Sequence, residues 1–87
     1  DLFRPTQALA RAGVLRADDP TRLKPEEPMP ADWARKWTRR ADRPDAVRQE
    51  TGPLRRENVS TALREQLPDA DPVPRGAFVE ALHTVLS

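Results

Sequence analysis

Ten prolines, at positions 5, 20, 25, 28, 30, 44, 53, 68, 72 and 74, cut this chain of 87 residues into short pieces. Proline has no backbone N–H, and its ring clashes with the preceding helical turn, so a helix interior cannot run through these positions. The residue before each proline is also pushed towards extended backbone. No stretch alternates apolar and polar residues at the period of a strand, so β-structure offers no way out. The chain is left with short helices between its prolines. The predicted fold class is all-α: a compact bundle of four to five short helices with a long proline-rich loop, forming a single small domain over residues 1–87.

The helices can be placed from caps and periodicity. The first is expected from about Thr6 to Ala12, with Thr6 as N-cap and Gly13 in the left-handed position after the last turn. Residues 16–30 hold four prolines and are expected to form a surface loop, with Leu23 and Met29 pinning it to the core. A helix is predicted over Asp32–Arg43, with Pro30 near its first turn. Pro44 ends it and opens a short helix, Asp45–Glu50. Thr51-Gly52-Pro53 is a break. A further helix is expected from Leu54 or Glu57 to Leu67, with Val59, Leu63 and Leu67 on one face. Pro68 to Pro74 forms a rigid connector. The last helix, about Arg75–Leu86, has the best apolar arc: Phe78, Val79, Ala81, Leu82, Val85 and Leu86. The core must be thin, because large apolar residues are few, 33% of residues are charged and mean hydropathy is −0.79.

The Asp32–Arg43 helix has the strongest division of faces. At 100° per residue, Trp33, Ala34, Trp37 and Ala41 share one arc, while Arg35, Lys36, Arg39, Arg40 and Arg43 fill most of the other. The tryptophans are expected to be mainly core, with Trp37 the more exposed of the two, its indole under a neighbouring arginine. Arginine outnumbers lysine thirteen to two and isoleucine is absent, the bias of a GC-rich bacterial genome. Part of the arginine content is therefore codon usage. Five cations on one side of one helix is nevertheless an uneven distribution.

Catalytic chemistry finds few residues to use. There is no cysteine, which removes disulfides and thiolate metal sites. The one histidine, His83, lies near the end of the last helix, where the helix dipole already favours it. Gly13, Gly52 and Gly76 are isolated, so no glycine-rich phosphate loop exists. The acidic pairs Asp18-Asp19, Glu26-Glu27 and Asp69-Ala70-Asp71 lie in proline-bounded turns, where aspartate serves local hydrogen bonding. No catalytic residue, cofactor or metal is therefore expected, and no small-molecule substrate. No apolar run approaches membrane-spanning length and no signal peptide is visible. The cytoplasm is the default location. A start at Asp1 gives the expectation of a piece of a larger protein.

Net charge is +1, too little for a purely electrostatic nucleic-acid binder. The segment Arg56-Glu-Asn-Val-Ser-Thr-Ala-Leu-Arg-Glu does resemble the recognition helices of bacterial helix-turn-helix regulators. The resemblance covers about ten residues, and Gly52 to Val59 is one residue longer than the usual spacing. It implies a DNA-binding domain using Leu54–Leu67, with Arg55, Arg56, Asn58, Ser60 and Thr61 at phosphates and base edges. The favoured expectation is a non-catalytic protein-interaction module. Its partner would be a protein with an acidic surface, met by Arg35, Lys36, Trp37, Arg39, Arg40 and Arg43, with Trp37 or Leu23 and Met29 as apolar anchor.

Overall fold

The computed structural model describes residues 3–11, 13 and 26–86. These residues form four α-helices and no sheet. The helices are α1 (Phe3–Arg11), α2 (Ala31–Arg40), α3 (Thr61–Glu65) and α4 (Arg75–Leu86), with one turn of 3-10 helix at Arg56–Asn58. The chain is thus all-α in class. The greater part of the expected proline-rich loop, Leu23 included, lies outside the described residues, but its end is visible. Met29 is completely buried. Gly13 takes a φ of 82°, and its N–H donates to the Ala10 carbonyl at 3.1 Å, the left-handed stop expected after α1.

α4 is the centre of the core. Phe78, Val79, Ala81 and Leu82 are buried, and α1 and α3 both pack against this helix. α1 contributes the buried Leu9, and α3 contributes Leu63. α2 adds Ala31, Ala34, Trp37 and Thr38. The Thr38 hydroxyl is buried yet satisfied, donating to the carbonyls of Ala34 at 2.9 Å and Arg35 at 3.1 Å.

Four expected elements are corrected. α1 begins at Phe3 rather than Thr6, so Thr6 lies within the helix and is not its N-cap; Pro5 falls in the first turn, where a proline is tolerated. α2 ends at Arg40 rather than Arg43. Asp42 adopts a φ of 61°, its N–H donates to Arg39 and the Arg43 N–H reaches back to Thr38 at 2.7 Å. Those paired bonds close the helix, and Pro44 keeps Arg43 from resuming it.

The helix expected at Asp45–Glu50 does not form. Val47 instead lies antiparallel to Val59. Ser60 N–H donates to the Ala46 carbonyl and Arg48 N–H to that of Asn58, each at 2.8 Å. A helix this short depends on tertiary packing rather than on its own propensity. Pairing instead buries Ala46 and Val47 together.

The same pairing breaks the Leu54–Leu67 helix. Val59 and Ser60 are extended, so only the 3-10 turn and the five residues of α3 are helical. Val59, Leu63 and Leu67 are all buried nonetheless.

The proline segments meet at one point. Met29 N–H donates to the Val73 carbonyl at 2.8 Å, Val73 N–H to that of Leu54 at 2.9 Å, and Leu54 N–H to that of Met29 at 2.8 Å. The three bonds form a closed ring, and all three residues are completely buried. Met29 lies between Pro28 and Pro30, Val73 between Pro72 and Pro74, and Leu54 follows Pro53. Prolines hold these segments extended and bring no N–H of their own to satisfy. Each central residue is left with one donor and one acceptor, and the ring uses every one.

Candidate protein-binding face

α2 carries the cations outward because its other side is fixed by aromatic packing. The Trp37 ring lies 6.2 Å from that of Trp33 and 6.3 Å from that of Phe78 on α4. This reverses the expected exposure of the tryptophans. Trp37 is 1% exposed, deep between the other two rings, while Trp33 is half-buried at the rim. The arginine over an indole is Arg75, whose guanidinium lies 4.7 Å from the centre of the Trp33 ring. The same guanidinium donates to the Pro28 carbonyl at 3.0 Å and pairs with Glu27 at 3.9 Å.

The five cations do not share one surface. Arg35, Lys36 and Arg39 line a shallow, open depression together with Asp32 and Glu50. Lys36 and Arg39 are exposed. Arg35 is partly covered and pairs with Glu50 at 3.4 Å. Arg40 is half-buried. Arg43, expected on the same helical arc, is beyond the helix end and lines a second recess with Asp42, Pro44, Asp45, Ala46, Ser60 and Ala62. The left-handed Asp42 is the cause, since it redirects the chain before Arg43 can fall in phase with Lys36.

Three of the residues assigned to nucleic acid by the helix-turn-helix resemblance, Arg55, Arg56 and Asn58, have side-chain partners within the molecule. Arg55 forms a two-pronged bond to Asp71, with Nε at 2.9 Å from Oδ1 and the terminal nitrogen at 3.1 Å from Oδ2. Arg56 donates through Nε to the Pro68 carbonyl at 3.0 Å and through a terminal nitrogen to that of Arg64 at 3.3 Å. Asn58 donates to the Gln49 side chain at 3.0 Å. Together these bonds clamp the 68–72 connector and the 49–58 loop.

Gln49 uses all of its side-chain amide. Its Nε2 donates to the carbonyls of Thr51 at 2.8 Å and Pro53 at 2.6 Å. Its Oε1 accepts from Arg55 N–H at 2.8 Å and from Asn58 Nδ2. Neither Gln49 nor Arg75 stood out in the sequence. A single polar residue beside a Gly-Pro break carries no periodic signal, and Arg75 looked like one arginine among thirteen.

The Arg55 guanidinium holds the Asp71 carboxyl below the ordinary carboxylate range, aided by the Arg56 backbone N–H against a smaller opposing effect of burial. Arg55 is raised in turn by the same bond. A carboxyl with a lowered folded pKa contributes stability above its unfolded pKa and loses it as pH falls through the folded value. Wild type is therefore expected to outmelt Asp71→Asn at neutral pH, with the gap closing below about pH 4. Thermal melts from pH 7 to pH 2 measure this. A constant gap would show that the Asp71 charge is not involved.

Among the described residues, no three His, Asp or Glu side chains gather in a group able to hold a metal. None of their helices is long and apolar enough to cross a membrane. No protein-family model, curated protein or solved structure matches the chain.

Proposed function

We propose that this domain is a non-catalytic helical bundle that binds an acidic surface of another protein, as the recruitment module of a larger bacterial polypeptide in the cytoplasm. The observation that carries the reading is the grouping of Arg35, Lys36 and Arg39 around one depression on a helix whose other side is buried. A helix locked by Trp37 and Phe78 presents these charges without first having to order them, which favours affinity. The charges steer approach and select the partner, while an apolar contact supplies hold. Trp37 and Met29 are buried and cannot be that contact. Trp33, on the same helix, retains exposed surface and takes the role.

DNA binding draws less support. Its residues Arg55, Arg56 and Asn58 already have internal partners, and the helix meant to enter a groove is five residues long.

The test compares wild type with Lys36→Glu/Arg39→Glu. Both residues are exposed, so the variant should melt like wild type. Wild type should retain acidic proteins from a source-cell lysate that the variant releases. Neither should bind random duplex DNA at about 0.15 M salt. Equal retention by both proteins would overturn the reading. So would duplex binding that falls steeply with salt and disappears with Arg56→Ala.

A further inference from the structure

Glu50 lines the cationic depression from a different part of the chain than α2. Its carboxylate lies 3.4 Å from the Arg35 guanidinium, where an acidic group of a partner would be received, yet its side chain is 79% exposed. Its backbone position is not left to chance. The neighbouring Gln49 ties this loop down with four hydrogen bonds, to Thr51, Pro53, Arg55 and Asn58. The loop base is fixed to α2 as well, since Ala31 N–H donates to the Gly52 carbonyl at 2.9 Å. A rigid loop thus delivers a solvated carboxylate to one cation of the set, and leaves Lys36 and Arg39 exposed beside it.

We propose that Glu50 is an internal competitor for the partner's carboxylates. In the free domain it occupies Arg35, and an incoming acidic segment must displace it to engage Arg35, Lys36 and Arg39 together. The inference rests on the protein-binding reading. It commits the occupant to an acidic helix of another protein. Arg35 and Arg39 are one turn apart, about 6 Å along the axis, and two glutamates spaced by four on a partner helix repeat that separation. An exposed ion pair of this kind is weak, so it lowers affinity without closing the site.

The probe is a fluorescein-labelled amphipathic peptide with glutamates spaced by four along one face, followed by fluorescence anisotropy. Wild type should bind it, and Lys36→Glu/Arg39→Glu should not. Glu50→Gln should bind between about two- and fivefold more tightly than wild type. Glu80→Gln makes the same change in net charge on α4, outside the depression, and should leave affinity unchanged. If Glu50→Gln and Glu80→Gln behave alike while wild type still binds through Lys36 and Arg39, the competitor role is overturned and the binding face stands. If wild type, Glu50→Gln and the double variant all fail to bind the peptide, both are overturned.

Discussion

Replacing Phe78 by alanine is expected to remove about 3–5 kcal/mol of stability, and Leu82→Ala about 2–5 kcal/mol. Both side chains are completely buried on α4. The Phe78 ring also packs against Trp37, so its removal opens a void beside the least exposed aromatic of α2. Small domains hold only about 5–15 kcal/mol in reserve, so either change should remove a large share of it. Urea titration followed by tryptophan fluorescence measures the loss. Midpoints within a few tenths molar of wild type for both variants would mean that α4 is not the centre of the core.

The second large effect is expected at the ring of backbone bonds. Val73→Pro removes the N–H that the Leu54 carbonyl accepts at 2.9 Å. That carbonyl belongs to a completely buried residue, and an unmet buried acceptor costs about 1–3 kcal/mol. The rigid ring of the new proline disturbs the remaining two bonds as well, so a loss of about 3 kcal/mol is expected in all. Val73→Ala separates side chain from backbone. It trims buried methyl groups but keeps the donor, and should cost less. The same urea titration applies, and equal losses in the two variants would show that packing alone matters at this position.

How far the sequence could be read depended on whether local preference and tertiary pairing agreed. α4 was legible over Arg75–Leu86 because its apolar arc, its length and its proline boundary all point the same way. Val59, Leu63 and Leu67 were legible as buried positions, although the helix assumed to align them is broken. A residue needed inside can be placed there by a bridge as well as by a helical face, and periodicity does not distinguish the two. Asp45–Glu50 was misread for a related reason. Its pairing partner lies twelve residues along the chain, at Val59, beyond the reach of any local pattern. At the candidate site, the cations of α2 could be read from residue type and helical phase. The separation of Arg43 from them could not, because it follows from one left-handed aspartate. Of the site's two acidic members, Asp32 and Glu50, the second comes from another segment and had no signal at all.

The ring of Met29, Leu54 and Val73 bears on how fast this domain can fold. Its bonds join residues separated by 19, 25 and 44 positions. A helical protein usually gains speed from contacts between near neighbours in sequence. Here the backbone groups at the middle of the molecule find partners only after two distant loops have closed, and each closure costs chain entropy before any bond returns it. Refolding should therefore be slower than the helix content suggests, with the proline segments arriving last and together.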